Sequence, residues 1–92
     1  MMKLVTKAVQ KEVPADLINI IWEFYDEGYL GNLVLDDYQF VTLTANESSS
    51  MMKIWQKVPP AMKTKTIPRY KNYELWIIDH VDGVTMLFPR EY

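Results

Sequence analysis

Hydrophobic and polar positions alternate in several stretches of this 92-residue chain and switch once, clearly, to a helical period. Residues 3–12 alternate loosely, with Leu4, Thr6, Ala8 and Gln10 on one side and Val5, Lys7, Val9 and Lys11 on the other. That pattern predicts an edge strand whose lysines discourage pairing with another molecule. Pro14 then supplies a fixed φ suited to a first helical turn, and Asp16 suits the positive end of the helix dipole. The predicted helix runs to about Glu27. Leu17, Ile18, Ile20, Ile21, Trp22, Phe24 and Tyr25 form a broad apolar face, while Asp16, Asn19, Glu23, Asp26 and Glu27 form the wet one. Gly28 is the expected helix stop, followed by a loop over Tyr29–Asn32.

The period returns to two from Leu35 to Thr44, where Tyr38, Phe40 and Thr42 oppose Gln39, Val41 and Leu43. Apolar residues on both faces predict a central strand. Asn46-Glu47-Ser48-Ser49-Ser50 reads as a polar hairpin loop, and Met51 to Val58 as the returning strand, ended by Pro59-Pro60. Residues 61–72 show little periodicity and read as a long connection, in which Pro68 permits only a short edge piece. Tyr73–Asp79 and Val84–Phe88 form the strongest hairpin pattern, joined by His80-Val81-Asp82-Gly83 with Asp-Gly at the turn. The prediction is one α+β domain in the order β-α-β-β-β-β, with one helix packed on a mostly antiparallel sheet of four to five strands.

Several of these residues occur in an order that resembles a known family. Val13-Pro14, Leu17 and Ile21-Trp22 are followed by Asp37-Tyr38-Gln39-Phe40-Val41 and Leu43, then by Ile54 to Pro59. Trp76-Ile77-Ile78-Asp79, Thr85-Met86-Leu87 and a closing Glu91-Tyr92 complete the set. The ensemble resembles the staphylococcal-type family of small Gram-positive bacterial proteins grouped as a domain of unknown function. The resemblance spans nearly the whole chain and implies the fold and a bacterial, cytoplasmic origin. That family has no assigned activity to transfer.

Composition narrows the chemistry. With 49% hydrophobic and 24% charged residues the chain is an ordinary globular domain, long enough for one core. The absence of cysteine removes disulfides, thiolate metal sites and cysteine nucleophiles, and fits a reducing compartment. The start of the chain lacks a basic flank followed by an apolar run, and the longest apolar stretch, Leu17–Trp22, is far below the ~20 residues of a membrane span. No membrane association is therefore expected. Gly28, Gly31 and Gly83 make no phosphate-binding loop, and Ser48-Ser49-Ser50 has no nearby base. Asp79-His80-Val81-Asp82 places a histidine between acids, but neighbouring strand residues point to opposite faces, so a turn aspartate and an exposed histidine are expected. Asp26-Glu27 and Asp36-Asp37 read as solvated acids. The expectation is of no catalytic residue, no metal and no cofactor.

The order of charges is more informative than the net charge of −2. From Val13 to Ser50 there are seven acids and no Lys or Arg; from Met51 to Tyr73 there are six bases and no acid. Lys53, Lys57, Lys63, Lys65, Arg69 and Lys71 are interleaved with Trp55, Met62 and Tyr70. Such a segment suits a protein partner or a second copy of the chain, since aromatic and Arg side chains dominate interface energetics and complementary charge guides encounter. These nine residues are the predicted binding site of a non-enzymatic adaptor. The alternative is single-stranded nucleic-acid binding by the same basic, aromatic segment 51–73, against which stands an isoelectric point of about 5.3. A plainer arrangement sets the lysines across the fold from the acidic helix.

Overall fold

A computed structural model describes residues 2–27 and 35–92; the helix stop expected at Gly28 and the loop over Tyr29–Asn32 lie outside them. The chain opens with β1 (Lys3–Val5) and α1 (Lys7–Glu12), followed by α2 (Ala15–Glu27). Five further strands follow: β2 (Tyr38–Ala45), β3 (Ser49–Gln56), β4 (Ala61–Pro68), β5 (Tyr73–His80) and β6 (Gly83–Leu87), with a closing 3-10 turn at Pro89–Glu91. Among the described residues the strands form one mixed sheet in the order β1-β6-β5-β2-β3-β4. All neighbours are antiparallel except β1 and β6. The α+β class stands, with six strands and two helices in place of the four to five strands and one helix expected.

Two elements correct the sequence reading. The supposed strand over residues 3–12 stops at Val5, because the Thr6 hydroxyl accepts the Val9 N–H at 3.2 Å and caps α1. Val9 and Val13, four apart, are both buried, so a helical period was hidden in a stretch short enough to fit either pattern. The supposed connection over 61–72 contains β4, paired with β3 along its whole length from Ala61–Gln56 to Pro68–Ser49. Its signal was obscured because lysines occupy strand positions where aliphatic residues normally reveal alternation. Lys63 sits there with its ammonium over the Phe24 ring, 5.3 Å from the centroid.

Both helices cover one face of the sheet. Leu17, Ile21 and Phe24 of α2 pack with Val41, Leu43, Met52, Leu75, Ile77 and Met86, all essentially inaccessible to solvent. As expected, β2 is central, between β5 and β3. Asn46 turns the β2–β3 hairpin within three residues rather than five, its Oδ1 accepting the N–H groups of Ser48 and Ser49 at 3.0 and 2.8 Å. The β5–β6 turn is tighter than predicted, closing at the His80–Gly83 pair. Gly83 alone of the Asp-Gly pair takes a positive φ, 144°, and a Cβ there would run into the Met2 carbonyl oxygen.

Candidate functional site

Alternation along each strand sends every second side chain to the face the helices leave open. Register then decides which of those side chains meet. Phe40 lies opposite Trp55 on β3 and Trp76 on β5, so three aromatic residues line up across adjacent strands. Phe40 and Trp55 stack with centroids 4.5 Å apart, and Phe40 meets Trp76 edge-on at 5.4 Å. Tyr92, brought over by the 3-10 turn, approaches Trp76 at 5.1 Å and Tyr38 at 5.9 Å. The Tyr38 and Tyr92 hydroxyls share a hydrogen bond of 2.7 Å, which pushes the Tyr38 pKa above its ordinary value because the neutral phenol is held. Five rings thus form a continuous row.

Two lysines border this row. The Lys57 ammonium stands 5.3 Å from the Phe40 centroid and that of Lys53 6.0 Å from Trp55. A recess of about 340 Å³ is lined by Asp36, Tyr38, Phe40, Lys57, Val58, Trp76 and Tyr92. A second, of about 410 Å³, lies beyond Trp55 between Lys53, Pro60 and Met62. Val58 and Met62 are 71% and 62% exposed, so the rim is apolar as well as charged.

The rim is anchored from behind by a buried pair on the helix face. Gln39 Nε2 donates to Gln56 Oε1 at 2.6 Å and to the Asp36 carbonyl at 3.2 Å. The same Gln56 oxygen accepts the Asp36 N–H, and its amide nitrogen donates to the Pro59 carbonyl at 2.9 Å. The two segments that border the first recess are therefore tied together through two side chains that are nearly inaccessible.

The nine predicted binding residues divide into three groups. Lys53, Trp55, Lys57 and Met62 stand on the open face beside the ring row. Lys63 and Lys65 belong to the opposite face, where both reach the Glu27 carboxylate, at 3.4 and 3.5 Å. Those lysines hold the Glu27 pKa below the usual carboxylate value. Arg69, Tyr70 and Lys71 sit at the far end of the sheet. Arg69 Nε donates to the Asn46 carbonyl at 2.8 Å, the Tyr70 hydroxyl donates to Asp16 Oδ2 at 2.7 Å, and Lys71 lies over Tyr73. The Asp16 bond raises the Tyr70 pKa, since ionising the phenol would set two anions together. The basic segment is therefore not one patch, and two of its six bases, Lys63 and Lys65, meet the acidic helix of their own chain.

Sequence reasoning missed Phe40, Trp76, Tyr38 and Tyr92 as partners of Trp55. The alternation of Tyr38 and Phe40 put both on one side, but their relation to Trp76 and Tyr92 depends on pairing between distant segments. The histidine stands as expected: exposed, with Nε2 2.7 Å from Thr85 Oγ1. Among the described residues no three His, Asp or Glu side chains are placed to hold a metal, and no helix is long and apolar enough to cross a membrane.

An α+β domain with helices on one face and an aromatic row on the other defines the class. Residues 2–91 match the model of the family described as staphylococcal protein of unknown function (DUF960), and the chain belongs to that family. It is similar to the crystal structure of a protein of unknown function from Enterococcus faecalis, with a TM-score of 0.86 and 21% identity, over 98% of this chain and 89% of that one. That likeness concerns the fold. No curated protein matches the sequence.

Proposed function

We propose that the protein is a non-enzymatic binding module of the bacterial cytoplasm that engages a partner protein through the open face of its sheet. The carrying observation is the row of five aromatic rings on the face that neither α1 nor α2 covers, rimmed by exposed Met51, Val58 and Met62. Aromatic residues and methionine are enriched at the centres of protein interfaces and supply most of their energy. Lys53 and Lys57 favour a partner segment that carries acidic residues beside its apolar anchor.

A nucleic-acid strand fits this face less well. Phe40 and Trp55 stack on each other at 4.5 Å, leaving no gap for a base, and Lys53 and Lys57 stand over these same rings. The remaining cations of the segment lie on the other face or at the far end, so a phosphate track has only two lysines here.

The test is co-purification from the native host with a tagged wild type and a Lys57→Glu/Met62→Asp variant, with and without nuclease, at low salt and at about 1 M salt, where charges are screened within ~3 Å. A discrete protein that survives nuclease and high salt with the wild type, and is lost with the folded variant, is the expected result. Nucleic acid released by salt would replace this reading with the single-strand one. A protein held equally by both forms would remove the open face from the function.

A further inference from the structure

We propose that the outer edge of β4 accepts an extended, acidic segment of a partner protein as an added strand. This rests on the protein-binding reading above and specifies how the partner is held. Among the described residues β4 ends the sheet, with β3 along one side and no strand along the other.

The hydrogen-bond pattern shows which backbone groups face outward. The Asn46 N–H donates to the Ser49 carbonyl at 2.9 Å, so Ser49 turns its backbone groups towards β2. In an antiparallel ladder that direction alternates, and Ser50, Met52, Ile54 and Gln56 therefore turn theirs towards β4. Their partners Ile67, Lys65, Lys63 and Ala61 face back. The N–H and C=O groups of Met62, Thr64 and Thr66 consequently point away from the sheet. Pro68 has the outward parity, so its missing N–H removes nothing from the β3–β4 ladder.

The two edges of the sheet are built differently. β1 has three residues and turns at once into capped α1, the kind of blunt edge that discourages strand addition. β4 has eight residues, and the side chains of Met62, Thr64 and Thr66 are exposed on the open face, with Met62 opposite Trp55. Strand addition to an exposed edge draws affinity from backbone bonds and specificity from alternate side chains.

Charge decides the occupant. An added strand would set alternate side chains beside Lys63 and Lys65, which share one carboxylate, in a segment of six bases and no acid from Met51 to Tyr73. Asp or Glu belongs at those positions, and apolar or β-branched residues at the intervening ones beside Met62 and Thr64. A second copy of β4 would bring lysines against lysines, which like-charge cross-strand pairing disfavours.

The probe is a synthetic eight-residue peptide of alternating glutamate and valine, titrated into the nitrogen-15-labelled full chain. The expected result is a shift and slower exchange of the N–H groups of Met62, Thr64 and Thr66. Replacing each glutamate by lysine in the peptide should weaken binding by about tenfold or more, equivalent to ~1.4 kcal/mol. Thr64→Pro removes one outward N–H without touching the ladder and should abolish binding with the far-ultraviolet spectrum retained, whereas Thr64→Ala should bind as wild type. Equal binding by Thr64→Pro, shifts confined to the Trp55 and Trp76 indoles, or no shift at millimolar peptide would each overturn the proposal. So would a dimer in the free protein that Thr64→Pro dissociates, since the edge would then belong to a second copy. If the co-purified partner is lost with Lys57→Glu/Met62→Asp but kept by Thr64→Pro, the edge proposal fails and the protein-binding reading survives.

Discussion

The helix-covered face of the sheet is mostly aliphatic, filled by Val41, Leu43, Met52, Ile54, Leu75, Ile77 and Met86, while the same strands place Tyr38, Phe40, Trp55 and Trp76 on the face that neither α1 nor α2 covers. Aliphatic side chains interlock with α2 and lose nearly all contact with water, so they supply the stability of the fold. The aromatic rings stay partly exposed and satisfy one another edge-on or stacked. Removing one should leave the helix–sheet packing intact. Flat, amphipathic rings suit a surface that must be wet alone and dry when occupied.

Neighbours in β5 offer the sharpest way to break this comparison. Ile77→Ala on the helix face should lose ~2–5 kcal/mol in chemical denaturation, by emptying a fully packed site. Trp76→Thr, one residue earlier on the open face, should cost less than half as much; equal losses would make the open face a second core. Next in size is Gln56→Leu, which deprives the Asp36 N–H, the Gln39 amide and the Pro59 carbonyl of a partner, for about 1–3 kcal/mol. Its effect should also reach the open face, as a changed Trp fluorescence, because Asp36 and Val58 border the recess there. Thr6→Val should cost ~1 kcal/mol and speed amide exchange at Val9, reporting the lost cap of α1.

The smallest effect concerns Glu27. Its pKa is lowered by Lys63 and Lys65, so the folded state binds its proton less readily than the unfolded chain. The stabilisation is then complete above the ordinary carboxylate pKa and is lost as pH falls through the lowered value. Denaturation midpoints should decline on acidification in that window, and Glu27→Gln should flatten that part of the curve. The carboxylate is exposed, so the change is modest and shrinks with salt.

Much of the fold was legible because burial is periodic. α2, β2, β3 and the β5–β6 hairpin each declared themselves through spacing, and the prolines at 59, 60 and 89 marked the ends of strands. β4 was hidden because Lys63 and Lys65 occupy positions on the helix side of the sheet, where their ammonium groups reach Glu27. α1 was hidden because six residues with a cap at Thr6 are too short for a period to separate from alternation. Of the candidate site, Lys53, Trp55, Lys57 and Met62 were found within one segment. The other rings were missed, since nothing local links residue 40 to residues 76 and 92.

The sequence by itself determined the α+β class and the segregation of acids from bases, both properties of local spacing or composition, and the order of its residues carried the resemblance to the family. Only the tertiary structure decided that two of the six bases, Lys63 and Lys65, meet their own acidic helix, that five rings share a face, and that β4 rather than β1 offers a long edge. Those outcomes depend on strand order and register, which are fixed by loop closure and by helix packing on one face. Such long-range choices are made by the chain as a whole and leave no periodic trace in any one segment.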